Sequence, residues 1–324
     1  TVDVYRGSIK PEKDFILYGC YVTFFPQLVA GPVLRAREVI PQFKSQAPFS
    51  RLDLIVGLRR IIYGLFLKVV LADNIAPLVD DGFIIPIEVM SALDVWTLSF
   101  LFGFQIYFDF SAYSHIALGS ARLLGIRFPE NFNFPYIANS PRDFWRRWHI
   151  SLSSWIRDYI YLPLANIKVN DHSTGGISNA VDNNKTNKSL IITWIIMGLW
   201  HGANWTFLLW GVYHVILIML YRLFSPLLVD FSNSVRSFIG IIFTLPLMML
   251  AWIPFRSQTS QEAIQMWLKV FNYNEYGSLG MRENNYLIAF ILVVAFFITY
   301  IIKNKILPKL INSNFVMGFI AIQT

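Results

Sequence analysis

Two histidines stand out by type and setting. His201 lies in Trp200-His201-Gly202 inside the long apolar run 190–224, where an ionisable side chain is costly and marks a candidate functional site. His149 closes Trp145-Arg146-Arg147-Trp148-His149, fifty-two residues earlier. A neutral imidazole walled off from water can take a proton from a hydroxyl, which is what a general base at His201 requires. The plainer reading of His201 is a hydrogen-bonded structural residue. Gly198 and Gly202 stand four apart, a spacing that admits a second helix backbone or a thin extended ligand beside the imidazole, with Asn204 and Trp205 within a turn. Trp200 and Asn204 are therefore candidate substrate contacts. Asp109 is another ionisable group at membrane depth, open between helix–helix hydrogen bonding and a site role. His214 falls roughly 220° around from His201 if their run is one unbroken helix, which would set the two on different faces.

Other chemistries find little support. With one cysteine, Cys20, and no H-E-x-x-H word, neither an internal disulfide nor a metal site is expected. No G-x-S-x-G elbow points to a serine hydrolase. Cys20 reads as a small apolar residue, and His172, in the Asn-, Ser- and Gly-rich stretch 166–189, is assigned no role. That stretch has the composition of a polar, mobile loop.

The elements that must hold these groups are set by composition. Of 324 residues 55% are hydrophobic, 16% aromatic and 15% charged, and mean hydropathy is +0.48, which describes a multi-pass membrane protein. Apolar stretches recur at 15–34, 52–72, 95–119, 190–221, 237–255 and 286–302. The alternation of a membrane barrel is absent, so the expected fold is an all-α transmembrane bundle, a single integral-membrane domain over 1–324. Thr1 to Asp14 reads as an internal loop, which suggests a fragment whose earlier membrane helices are missing.

The net charge of +7 reads as loop topology, with no nucleic-acid partner implied. Basic residues crowd 35–51 and 122–158, whereas 73–94 holds five carboxylates and no Lys or Arg. The basic segments are placed inside and 73–94 outside; beyond residue 165, Lys303, Lys305 and Lys309 fit either of two helix counts. The segment 141–163 reads as an interfacial helix, with Phe144, Trp148, Leu152, Trp155 and Tyr159 on one aromatic face. Arg146 and Arg147 could meet a donor's phosphates or anionic lipid headgroups.

Six words in order carry a resemblance over nearly the whole chain: Asp3-Val-Tyr-Arg-Gly7, Phe24-Phe-Pro-Gln-Leu-Val-Ala-Gly-Pro32, Gln105-Ile-Tyr-Phe-Asp-Phe-Ser111, Phe128-Pro-Glu-Asn-Phe132, Asp143-Phe-Trp-Arg-Arg-Trp-His149 and Gly198-Leu-Trp-His-Gly202. Together they resemble the membrane-bound O-acyltransferases, in the branch typified by the alginate O-acetylation membrane subunit. The resemblance implies that His201 is catalytic and that His149 is the second polar position of the reaction chamber. It implies transfer of an acetyl group from acetyl-CoA, with no tightly bound cofactor, toward a hydroxyl of an exported polysaccharide, through a periplasmic partner protein at the bacterial inner membrane. Related branches acylate teichoic acid with D-alanine, or lipids and proteins. Relatives usually carry Gly at Ala112 and Asp at His115, so a charge pairing made there is in doubt. A proton-coupled transporter, with His149, His201 and Asp109 as a relay, is the competing class; the paired halves common in transporters are not apparent.

Overall fold

A computed structural model describes residues 1–28, 31–45, 50–167 and 183–308. Among them there is no strand, and the chain is an all-α bundle, as expected. Three helical spans, Trp205–Leu228, Asn233–Arg256 and Glu283–Ile306, are long and apolar enough to cross a membrane.

The apolar stretch 15–34 is not one crossing. It forms α1 (Phe15–Val22), a single turn at Phe25–Leu28 and an extended run from Gly31, because Pro26 and Pro32 interrupt helical hydrogen bonding. An amphipathic α2 (Ala36–Ser45) follows. The stretch 52–72 lies in a longer rod: α3 (Arg51–Leu65) runs through a π-helical segment, Phe66–Ala72, into α4 (Asp73–Ile84). The central element is α5 (Ala92–Leu123), whose 32 residues span about 48 Å at 1.5 Å per residue. Capping boxes Ser50/Asp53 and Ser91/Asp94 start α3 and α5.

Small residues let α3 and α5 approach closely. A Cβ at Gly64 would meet the Ala112 carbonyl oxygen at 2.7 Å, and one at Gly119 would meet that of Gly57 at 2.7 Å. Their antiparallel packing sorts the charges. Arg122 pairs with Asp53, and Gln42 bonds the Arg127 backbone in both directions, at one end. At the other, Asp80 pairs with Arg256, and Asp94 accepts from Gly280 N, Met281 N and Tyr286 Oη. The basic segments thus share one end and the acidic segment takes the opposite one. Lys303 lies over the Phe134 ring at 5.1 Å, beside the basic segment, and Lys309 lies outside the described residues.

The segment 141–163 is not one amphipathic helix. It comprises α6 (Pro141–Trp145), a break, α7 (Ile150–Ile156), a π-helical turn Arg157–Tyr161 and a last turn at Leu162–Leu164. The expected aromatic stripe is split accordingly: Phe144 and Trp148 are buried in the core, whereas Trp155 and Tyr159 pair with each other. Of the expected polar loop 166–189, residues 168–182, His172 included, lie outside the described residues, and 183–189 open α8 (Asn183–His201).

The run 190–224 is likewise broken. α8 ends at His201, the chain turns at Gly202, and α9 (Trp205–Phe224) returns beside it. A Cβ at Gly198 would meet the Phe207 carbonyl oxygen at 2.5 Å, and one at Gly211 would meet that of Trp194 at 2.5 Å, so the hairpin is closed by backbone contact. Beyond it lie α10 (Asn233–Leu250), the short α11 (Ile253–Arg256), α12 (Ser260–Phe271) and α13 (Glu283–Ile301).

Candidate functional site

His149 is placed by a buried polar clamp. Ser140 caps α6 by accepting from Asp143 N at 3.1 Å, and Pro141 takes the first helical position. The helix stops after Trp145, and His149 itself adopts a left-handed backbone, φ 41°, at the start of α7. For a non-glycine residue that conformation costs energy and persists only where its surroundings enforce it. Asn131, 1% exposed, does so. Its backbone carbonyl accepts from Ile150 N at 2.9 Å, and its Oδ1 accepts from Ser151 Oγ at 2.9 Å. Its Nδ2 donates to Ser114 Oγ on α5 at 3.0 Å, and Ser151 Oγ accepts from Val33 N at 2.9 Å. The His149 ring meets Phe110 of α5 edge to face at 4.5 Å, and its Nε2 is buried without a hydrogen-bonding partner.

His201 arrives from the other direction, as the last residue of α8. Its ring is bounded by Trp200 at 4.8 Å, Trp210 at 5.1 Å and Phe255 at 4.8 Å. Phe255 precedes Arg256, the partner of Asp80, so this imidazole lies toward the acidic end. His149 is carried by the basic segment. A chain of ring contacts through Phe110, Phe132, Trp148, Trp252 and Phe255 joins the two imidazoles. Trp145 and Trp210, 5.8 Å apart, both meet the ring of His214.

His214 is the residue that sequence reasoning missed. Its predicted separation from His201 assumed an unbroken helix; the turn at Gly202 sets the two on antiparallel helices, with Trp210 touching both rings. The signal was Gly202 followed by Asn204, whose Oδ1 accepts from Thr206 N at 3.1 Å and caps α9. Asn131 was overlooked too, although it stands within one of the six words.

The remaining candidates separate. Trp200 is 58% exposed beside His201, and Asn204 is exposed beyond its capping bond. Arg147 donates to Asp143 at 2.9 Å and to the Asn133 carbonyl at 3.3 Å, whereas Arg146 is exposed and makes no ion pair among the described residues. Asp109 accepts from Lys68 at 2.6 Å, and the same ammonium reaches Asp73 at 2.9 Å. At the departure, His115 Nδ1 lies 3.1 Å from Arg60, whose guanidinium pairs with Glu130. Among the described residues no cluster of ligands suits a metal ion.

Residues 12–255 match the model of the membrane-bound O-acyltransferase family. The chain is 37% identical to the protein named probable alginate O-acetylase AlgI of Azotobacter vinelandii, over 85% of this chain and 52% of that one. It is 37% identical to the peptidoglycan O-acetyltransferase of Helicobacter pylori, over 78% and 46% respectively. It is 30% identical to the teichoic acid D-alanyltransferase of Bacillus subtilis, over 68% and 54%. The chain spans about half the length of the curated relatives it matches.

Proposed function

The chain belongs to the membrane-bound O-acyltransferase family, and from that premise we propose that it transfers an acetyl group from acetyl-CoA toward a hydroxyl of an exported cell-envelope polysaccharide. The observation that carries this reading is that two histidines brought in from opposite ends of the bundle are linked by one continuous run of aromatic contacts, from Phe110 at His149 to Phe255 at His201. A donor met at the basic end would reach His149; an acceptor from the acidic end would reach His201.

His201 acts as general base. It takes the proton of the accepting hydroxyl as that oxygen bonds to the thioester carbonyl carbon, and returns it to the sulfur as the C–S bond breaks. His149 orients the donor or hydrogen-bonds the oxyanion. Arg146, exposed on the basic segment, meets the donor's phosphates, and the guanidinium of Arg147, already anchored by Asp143, adds its charge. Trp200 and Asn204 line the acceptor's approach. Asp109 contributes through its ion pair with Lys68. The whole protein is an integral membrane protein of the bacterial inner membrane, working with a periplasmic acyl-transfer protein that carries the group onward. The acceptor is alginate-like or another envelope glycan, in keeping with the relatives' names.

The test reconstitutes the full-length protein and follows labelled acetyl-CoA into product. Wild type turns over, and folded His201→Ala and His149→Ala do not. Unchanged transfer by His201→Ala overturns the mechanism, and solute transport without acyl turnover favours the relay.

A further inference from the structure

The hairpin of α8 and α9 holds a knot of nitrogen atoms that the reaction above leaves unused. His214 is 1% exposed, and neither ring nitrogen has a hydrogen-bonding partner. Trp194 stacks on its ring at 4.7 Å and 19°, while Trp210 and Trp145 meet it edge to face at 4.7 and 5.1 Å. The indole Nε1 atoms of Trp145 and Trp210 are also buried without partners. Four unpartnered nitrogens therefore belong to three mutually touching rings, one of which, Trp210, also touches His201.

A buried donor or acceptor left unsatisfied costs about 1–3 kcal/mol, and a phenylalanine at 214 would fill the same aromatic cage without that cost. Polar groups kept at such expense beside a candidate base call for a guest. Hydrogen-bonding inventory defines it: each indole only donates, and a neutral imidazole donates once and accepts once. Three donors and one acceptor fit an uncharged, acceptor-rich group. A carbonyl oxygen has two lone pairs and gains negative charge as its carbon is attacked.

Resting on the acyltransferase reading, we propose that Trp145, Trp210 and His214 form the subsite for the carbonyl oxygen of the transferred acyl group. Trp145 comes from the segment that carries His149, and Trp210 and His214 from the helix that faces His201. A carbonyl held there lies between the donor side and the acceptor side. Its charge rises as the acceptor oxygen bonds to carbon and falls as the C–S bond breaks, while the proton passes through His201 to sulfur. The subsite donates hydrogen bonds and takes no proton. Aromatic packing fixes its donors in advance, so they need no reorganisation during reaction.

The experiment measures acetyl transfer from acetyl-CoA by the full-length protein in proteoliposomes, wild type against Trp145→Phe, Trp210→Phe and His214→Phe. Loss of one oxyanion donor lowers kcat about 100-fold. The donor KM stays within about twofold, because the contact strengthens only in the transition state. The melting temperature of His214→Phe is unchanged or raised, which a merely structural histidine would not give together with lost turnover. Should Trp210→Phe fail to fold, Trp145→Phe and His214→Phe decide. Wild-type kcat in those two, or a loss confined to KM, overturns the subsite. A wild type with no acyl turnover overturns instead the reading on which it rests.

Discussion

The imidazole of His201 and the indole of Trp210 meet edge to face at 5.1 Å and 84°, although they lie on separate helices that run in opposite directions. The contact exists because Gly198 and Gly211 let the two backbones touch and Gly202 reverses the chain. The position of the candidate base is therefore a property of the hairpin rather than of one helix.

Gly198→Ala should lower stability by about 1–3 kcal/mol. Its Cβ would meet a backbone carbonyl at 2.5 Å, which the helix can relieve only by moving away. Gly202→Ala would crowd the Phe207 ring at 2.7 Å and put a side chain on a backbone of φ 156°, which favours glycine, so it too should melt lower while losing acyl transfer as Phe207 shifts against Phe255. Thermal melts in detergent and labelled-acetyl turnover check both. A Gly198→Ala protein as stable as wild type would show that the hairpin is less tightly closed than described.

Asn131→Ala should destabilise by about 2 kcal/mol, since it strands the hydroxyls of buried Ser114 and Ser151. It should also relax the left-handed backbone at His149 and reduce transfer by more than its effect on stability explains. The comparison to make is Asn131→Ala against Leu152→Ala, a core truncation on the short helix that follows His149, which leaves the clamp intact. Equal residual turnover in the two would remove the clamp's special role.

What composition and motif revealed was the membrane class, the all-α fold and the family. The charge pattern alone separated the two ends of the bundle, because α3 and α5 are long and antiparallel. Continuity was where periodicity failed. The stretches 141–163 and 190–224 read as single helices because their apolar spacing survives a break; Gly202 and the strained backbone at His149 end helices without disturbing that spacing. Buried polar clamps such as Asn131 carry no periodic signal, and the nearness of His214 to His201 depends on a turn whose marker, a Gly before an Asn cap, spans only the three residues 202–204.

Asp158 offers a pH test outside the membrane-spanning segments. Burial pushes its carboxyl up, but hydrogen bonds from Arg157 and Arg35 outweigh that and hold it below the usual carboxylate range. A depressed folded-state value means stabilisation that is present above the unfolded pKa, about 3.9, and lost as pH falls through the folded value. Asp158→Asn should therefore melt lower at pH 7, by about 3 kcal/mol, because buried Arg35 loses its partner. The gap should begin to close below the unfolded value, about 3.9, and vanish once pH has fallen through the depressed folded-state value. Parallel curves down to the lowest accessible pH would mean that the pair is not what titrates there.

The strongest claim about the site is that His149 and His201 serve one event, and additivity can test it. Residues that act together in a single transition state are non-additive: once one is gone, the other has little left to contribute. His149→Ala/His201→Ala should thus retain about the same residual kcat as the worse single variant. If instead the two losses multiply, the histidines act in separate steps, such as donor loading at the basic end and acceptor activation at the acidic end. Single-turnover rates with preloaded acetyl-CoA then locate the difference: with one shared event, both single variants slow the same acyl-transfer phase. A variant that slows only donor binding would place its histidine outside the chemical step.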